Sequence, residues 1–143
     1  MAQEAFEVVN TRVFEVRRET LFDAFADPLQ LAVWWGPSGF TNSFSEFDLR
    51  KGGRWRFVMR SPDGREFANE SIFEEVARPE KIVFLHEQPV HAFRMTMLFD
   101  ALGPKSRLTW RMEFEREDRR LQSVLYAMNE QNFYRLEMHL RSR

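Results

Sequence analysis

The stretch DPLQLAVWWGP, residues 27–37, carries the clearest helix start and stop signals in the chain. Asp27 is a typical N-cap residue, and Pro28 suits the first helical position. Gly36 followed by Pro37 ends a helix sharply. These signals predict a short helix whose last turn holds two tryptophans. Because an indole is a large apolar group, the pair has to meet a core, a partner or a ligand.

The two tryptophans are predicted to have different roles. Leu31, Trp34 and Trp35 stand at positions i, i+3 and i+4, so both indoles share one helix face. Trp34 lies nearer the body of the helix and is predicted to be a structural anchor. Trp35, at the very end, is predicted to lie at the mouth of a cavity. The alternative that both are plain core residues stays open.

The segments on either side complete an ordered pattern. Residues 6–16 indicate a first strand, and Thr20 can be the N-cap of a first short helix whose apolar part is Leu21, Phe22, Ala24 and Phe25. Residues 41–115 alternate between apolar and polar side chains and predict an antiparallel meander of about six strands. Residues from about 117 to 141 predict one long helix. Its apolar stripe is Leu121, Val124, Leu125, Met128, Leu136 and Leu140.

Strict alternation also predicts which side chains of the meander face inward, because a slip of one residue would invert every face. The predicted inward set is Trp55, Phe57, Met59, Phe93, Met95, Met97, Trp110, Met112 and Phe114. The predicted fold class is α+β, with a curved antiparallel sheet wrapped around the long C-terminal α-helix and two short helices after strand 1. Such a sheet cannot close fully around a helix, so we expect an internal cavity.

Composition sets the class of protein. The chain has 143 residues and a formal net charge of −1, with 15 Phe, 4 Trp and no Cys. Its length favours a single domain over residues 1–143. The small net charge gives no field that favours nucleic acid. The absence of cysteine excludes disulfides and thiolate metal sites. No apolar run is long enough for a membrane span, and no signal-peptide pattern opens the chain, so we expect a cytoplasmic protein.

Motifs that would carry catalytic or nucleic-acid chemistry are weak. In GRWRFVMR (53–60) arginines and aromatic rings alternate and so face opposite ways, whereas stacking on single-stranded nucleic acid needs both together. Glu66 and Glu70 on the next strand can pair with these arginines. The stretch DLRKGG (48–53) is interpreted as a tight turn between strands.

The three histidines, His86, His91 and His139, are too scattered for a zinc-type spacing. No G-x-S-x-G nucleophile pattern occurs either. No catalytic residue, metal site or cofactor is therefore assigned.

Several polar side chains fall on the apolar faces and are candidates for ligand contact. His86 shares a face with Ile82 and Phe84, and Asn132 lies within the helix stripe. A polar group that faces a cavity needs a partner in protein, water or ligand. The predicted ligand-binding set is Trp35, Trp55, Phe57, Met59, Asn69, Ser71, Phe84, His86, Met95, Met97, Trp110, Met112, Met128 and Asn132.

Four segments carry a family pattern: TRVFEVRRETLFDAFADPLQLAVWWGP, FDLRKGGRWRFVM followed by SPDG, EEVARPEKIVF, and MNEQNFYRLEMHL. On these segments the chain resembles the helix-grip (SRPBCC) superfamily of START-like, polyketide-cyclase-like and pollen-allergen-like ligand-binding proteins. Within it the chain is most similar to the family named after the activator of the heat-shock-protein-90 ATPase. It carries Gln131-Asn132-Phe133 where many members have a Gly-Trp pair. The resemblance implies a helix-grip, START-like fold over essentially the whole chain.

Three functions are compatible with these observations. The first is binding of a small apolar or amphipathic molecule between the sheet and the C-terminal helix. The resemblance to polyketide-cyclase-like proteins implies a second, an enzyme that uses His86 as acid or base with Asn69 or Asn132 orienting a carbonyl. The family name implies a third, a chaperone partner or protein-interaction module. Whether the chain catalyses a reaction stays open, and a homodimer stays open as a further partner.

Overall fold

Turn and cap signals of the sequence set the boundaries of the elements. The computed structural model describes residues 6–88, 92–115 and 118–143. His91 lies outside these described residues. Within them the chain forms β1 (Phe6–Phe14), α1 (Arg18–Ala26), α2 (Pro28–Trp34), β2 (Thr41–Phe47), β3 (Arg54–Arg60), β4 (Glu66–Ala77), β5 (Lys81–Gln88), β6 (Phe93–Leu102), β7 (Lys105–Phe114) and α3 (Arg119–Arg141).

The strands form one curved antiparallel sheet in the order β1-β7-β6-β5-β4-β3-β2. The predicted meander is confirmed as the six strands β2 to β7. Register shifts interrupt β2 between Phe44 and Glu46 and β4 between Phe73 and Glu75. Such bulges bend a strand and increase its twist. They therefore help the sheet to curl around α3.

The predicted inward faces are confirmed. Most of the predicted set is fully buried, and Met59 and Phe93 are half-buried. Arg56 and Arg111 lie exposed on the opposite face. The resulting core is rich in aromatic rings, and its largest buried side chains include Trp34, Trp55, Trp110, Phe14, Phe22, Phe25, Phe73, Phe84, Phe99 and Phe133.

The prediction that the arginines of β3 pair with glutamates of the next strand is confirmed. The guanidinium groups of Arg54 and Arg56 lie 2.8 Å and 3.3 Å from the Glu70 carboxylate, and Arg60 lies 2.9 Å from Glu66. These arginines are held by neighbouring strands on the solvent side.

The glycine pair between β2 and β3 forms the predicted turn, but only one of the two glycines has a positive φ. Gly52 has a φ of +83°. Gly53 is needed for space, because a Cβ there would lie 1.9 Å from the carbonyl oxygen of Asp48. This stretch is a structural turn.

The helix start signals are confirmed for α2 and wrong for α1. The Asp27 carboxylate accepts a hydrogen bond of 3.0 Å from the backbone N–H of Leu29, as an N-cap should. Helix α1 begins at Arg18, and its N-cap, Arg17, makes no side-chain cap bond. Thr20 therefore lies inside the helix. The N–H of Leu21 bonds the carbonyl of Arg17 at 3.0 Å, so the helix starts three residues earlier than a Thr20 cap would place it.

Helix α3 covers the concave side of the sheet and closes against β1. The Gln122 side chain donates a hydrogen bond of 2.9 Å to the backbone carbonyl of Glu7. The helix thereby satisfies a carbonyl of β1, the edge strand of the sheet. The Phe133 ring packs edge-on against Trp110 at 4.7 Å between centroids. No helix in the described ranges is long and apolar enough to span a membrane.

The predicted stripe of α3 is partly wrong. Val124 is exposed, with a relative accessibility of 50%. The fully buried residues of the helix are Asn129, Asn132, Phe133 and Leu136, of which Leu136 belongs to the predicted stripe and Asn132 was predicted to lie within it. These four stand at i, i+3, i+4 and i+7, which is one helix face. Two of the four residues are asparagines. A prediction of the buried helix face from hydrophobic residues alone therefore misses part of that face.

Arg135 of α3 ties the C-terminal end of α2 to the long helix. Its guanidinium donates hydrogen bonds of 2.8–3.1 Å to the backbone carbonyls of Val33, Trp35, Gly36 and Pro37. The last carbonyls of a helix have no intrahelical partner and need another donor. One side chain therefore satisfies the Val33 carbonyl of the helix and three carbonyls of the segment that follows it.

Two asparagines complete the same capping arrangement. The Asn132 amide donates to the Trp34 carbonyl at 3.0 Å. From β2, the Asn42 amide donates to the carbonyls of Ala32 and Trp35 at 3.1 Å and 2.8 Å. The WWGP turn is thus held between α3 and the sheet.

Replacing Arg135 by Met should lower the free energy of unfolding by about 2 kcal/mol, because four carbonyls, most of them partly buried, lose a charged donor. Arg141→Met on the same helix is the control. Arg141 makes a surface ion pair of 3.2 Å with Glu137, and such pairs contribute less than about 1 kcal/mol. Urea unfolding of both variants measures the difference. Equal losses would contradict the capping role of Arg135.

Candidate ligand-binding cavity

Two adjoining chambers lie between the concave face of the sheet and α3. The inner chamber, of about 200 Å³, is walled mostly by buried residues. The outer chamber, of about 260 Å³, is walled mostly by half-buried ones. They share Pro37, Met59, Asn69, His86, Phe93, Leu125 and Met128. Because they share these residues, we treat them as one cavity with two parts.

The structure brings nearly all of the predicted ligand-binding residues together. Every member of the predicted set except Met97 lines the inner chamber. Met97 is buried on the same sheet face but lies at another level, where α1 and α2 cover the sheet. It borders a separate void of only about 10 Å³ with Phe25, Leu31 and Trp35. Facing inward is therefore not sufficient to line the cavity.

The two tryptophans at the end of α2 have different surroundings. The Trp34 ring is buried against Phe25, and its Nε1 donates to the Ala24 carbonyl at 3.1 Å. Trp34 lines neither chamber, which agrees with the anchor role. Trp35 lies in the wall of the inner chamber, with its ring 5.0 Å from Trp55 and 5.3 Å from Trp110.

The prediction that Trp35 lies at the mouth is wrong, because Trp35 does not line the outer chamber. Its ring is turned toward the core by the indoles of Trp55 and Trp110. The outer rim is formed instead by residues such as Phe40 and Phe67, whose rings stack at 6.4 Å.

His86 stands where the two chambers meet. Its ring stacks on Phe93 at 4.7 Å, and its Nδ1 lies 3.4 Å from the Ser71 hydroxyl. Burial lowers the pKa of His86 to about 4, since the charged form would lose its water. The imidazole is therefore neutral at physiological pH.

Two amides of α3 reach the inner chamber. The Asn129 Nδ2 donates to the Asn10 side-chain oxygen at 3.0 Å and lies 3.3 Å from the Met112 sulfur. The Asn132 Nδ2 donates to the Trp34 carbonyl. In both cases the NH₂ group is used. Neither Oδ1 atom has a hydrogen-bond partner in the described part of the chain.

The indole N–H groups of Trp55 and Trp110 also lack partners. Both nitrogens are fully enclosed, however, with the Trp55 ring among Trp35, Phe73 and Phe84. A molecule in the chamber would meet these residues through other atoms of their rings. We therefore do not count the two N–H groups among the polar contacts of the cavity.

The walls of both chambers are electrically neutral. Among the described residues, no Asp, Glu, Lys or Arg side chain lines either chamber. The described residues also contain no group of three or more His, Asp or Glu side chains that could hold a metal ion. The cavity offers an aromatic and thioether surface with a few uncharged hydrogen-bonding groups.

Some lining residues were not predicted from the sequence. Asn129 was missed because it follows Met128, which already occupied the predicted helix stripe. Gly36 and Pro37 were read only as a helix stop, yet both border the inner chamber. A Cβ on Gly36 would lie 2.6 Å from the Met59 methyl group, so this glycine leaves room for the lining.

Comparison with known proteins identifies the fold. The family model described as "Activator of Hsp90 ATPase homolog 1-like protein" matches residues 15–141. A solution structure from Arthrobacter aurescens is similar with 20% identity over 97% of this chain and 87% of that chain, at a TM-score of 0.84. A crystal structure from Chromobacterium violaceum has 23% identity over 92% and 94%, at a TM-score of 0.83.

The AHSA1 protein from Silicibacter pomeroyi has 20% identity over 95% of this chain and 98% of that chain, at a TM-score of 0.81. No curated protein compared with the chain matches it. At these identities the similar structures show the fold alone. They confirm the predicted α+β helix-grip architecture.

The buried imidazole should make stability depend on pH. An unfolded His takes up a proton near pH 6.5, whereas folded His86 does so only near 4. The unfolded state therefore binds more protons between these values, and stability falls as the pH falls through this window. A shift of this size corresponds to about 3 kcal/mol.

His86→Gln should remove this part of the acid sensitivity. Burial also lowers the pKa of His139, but that residue is the same in both proteins. Urea unfolding of wild type and variant at several pH values between 7 and 4 measures the difference. If both proteins lose the same stability over this range, His86 is not held neutral by burial.

Proposed function

The chain belongs to the family of Activator of Hsp90 ATPase homolog 1-like proteins, and on this premise we propose that it binds a small apolar or amphipathic molecule in the cavity between the curved sheet and α3. The observation that carries the proposal is the two-part cavity itself. Its inner part alone has a volume of about 200 Å³. Together the two parts reach the lower end of the roughly 300–1,000 Å³ of small-molecule sites.

The apolar lining of the cavity supports a ligand. Moving apolar surface out of water is favourable by roughly 25 cal/mol per Å². A ligand that fills the space would recover dispersion contacts with Trp35, Phe57 and Met112. The methionines in the wall can adapt to its shape.

The enzyme alternative receives less support from the site. The Ser71 hydroxyl is the hydrogen-bonding neighbour of His86, and no carboxylate of the described residues lines the chambers to orient or charge the imidazole. A general base works best when its pKa is near the working pH, whereas burial lowers the pKa of His86 to about 4. The protein-interaction alternative rests on the family name.

Binding can be measured with N-phenyl-1-naphthylamine, an uncharged aromatic probe, by isothermal titration calorimetry. Met128 lines both chambers, so Met128→Trp should fill part of the space and weaken binding by about tenfold or more. Met138→Trp on the same helix is the control, because Met138 is exposed and lines neither chamber. It should bind like wild type.

Thermal unfolding of all three proteins separates loss of binding from loss of folding. Failure of the wild-type protein to bind this probe or any other uncharged aromatic molecule would contradict the proposed function. Equal affinity in the wild type and both variants would place the probe somewhere other than the cavity.

A further inference from the structure

The cavity has mostly apolar walls with a few uncharged polar groups, and this limits what it can hold. The described residues place no carboxylate, ammonium or guanidinium group on either chamber. An ion moved from water into such a space would lose its hydration and find no counter-ion, which is strongly unfavourable. The contents of the inner chamber should therefore be uncharged.

The one titratable side chain of the lining, among the described residues, fits this picture. His86 is neutral at physiological pH, because burial lowers its pKa to about 4. It provides hydrogen-bonding nitrogen atoms and no positive charge that could hold an anion. Its Nδ1 faces the Ser71 hydroxyl at 3.4 Å, which leaves Nε2 for another partner.

The two α3 amides specify the kind of polar group that would fit. Asn129 and Asn132 are both more than nine-tenths buried, with relative accessibilities of 8% and 4%. Their NH₂ groups are bonded to Asn10 and to the Trp34 carbonyl, so only the oxygens remain free. An amide oxygen accepts hydrogen bonds and donates none. A ligand must therefore bring a donor to this wall.

A hydroxyl group meets both requirements without charge. It donates one hydrogen bond, which suits the Asn129 or Asn132 oxygen, and it accepts others, which suits an imidazole N–H. The remaining wall is aromatic, with Trp35, Trp55 and Trp110 side by side. Flat ring systems can pack against such a wall in the offset or edge-on arrangements that aromatic groups prefer.

We propose, as an extension of the proposed function, that the cavity selects an uncharged ring compound that carries a hydroxyl group, and that it excludes the corresponding carboxylate. The hydroxyl donates its one hydrogen bond to the amide oxygen of Asn129 or to that of Asn132. The ring system lies against the aromatic wall of the inner chamber.

Three probes of one ring system test the two parts of the inference: 2-naphthol, 2-methoxynaphthalene and 2-naphthoate. Near pH 7 the phenol is neutral and the carboxylate is ionised. By calorimetry, 2-naphthol should bind about tenfold or more tighter than 2-naphthoate. It should also bind several-fold tighter than 2-methoxynaphthalene, which has no donor for the amide oxygens.

Variants assign each preference to its cause. Met128→Lys places a cation on the cavity wall and should reduce or reverse the preference for the phenol over the carboxylate. The exposed control Met138→Lys should not. Asn129→Leu or Asn132→Leu, whichever removes the accepting oxygen, should remove most of the difference between 2-naphthol and 2-methoxynaphthalene, and the double variant should remove it in either case. That difference is a ratio measured within one variant, so a change in overall stability does not imitate it.

The outcomes separate this inference from the proposed function. Equal binding of 2-naphthol and 2-naphthoate overturns the selection for uncharged ligands while leaving a ligand-binding cavity. Equal binding of 2-naphthol and its methyl ether overturns the role of the amide oxygens. If no probe in the series binds, the proposed function falls together with the inference.

Discussion

The hydrogen bonds from Arg135 to the end of α2 are the constraint on which the rest of the structure depends. One guanidinium group in the long helix donates hydrogen bonds to four backbone carbonyls between Val33 and Pro37. Asn132 and Asn42 complete the capping from the helix and the sheet. This connection fixes the separation between α3 and the open side of the sheet. It also turns Trp34 into the core and Trp35 toward the cavity.

The cavity follows from that fixed separation. Bulges in β2 and β4 curl the sheet, but its edges are held apart by α3, and aromatic side chains cannot fill all of the space. The helix contributes two amides to the wall where a fully packed core would have apolar groups. The space is consequently neutral, apolar and supplied with a few hydrogen-bonding atoms. Membership of the family fixes the architecture, whereas these side chains determine the chemistry.

Most of the architecture could be predicted from the sequence, because period-two alternation and cap residues are local signals. Asp27 and Gly36 bound α2 as expected, and the inward set of strand residues is confirmed. The errors come from tertiary contacts. The face of α3 was predicted correctly at Asn132 but not at Asn129, a buried polar residue whose partners Asn10 and Met112 lie far along the chain. Met97 faces the inside of the sheet as predicted, but it lies beneath α1 and α2 and not beside the cavity. Alternation predicts the face of a strand residue and not its position along the sheet.

The most direct test of the account is a nuclear magnetic resonance titration that follows the four tryptophan indole N–H signals as 2-naphthol is added. Trp35, Trp55 and Trp110 line the inner chamber, whereas Trp34 is held against Ala24 outside it and serves as an internal reference. The account predicts that the first three signals shift and saturate together while the Trp34 signal moves much less. Binding that leaves these three signals in place, or that moves Trp34 as far as the others, would contradict a ligand site in the cavity.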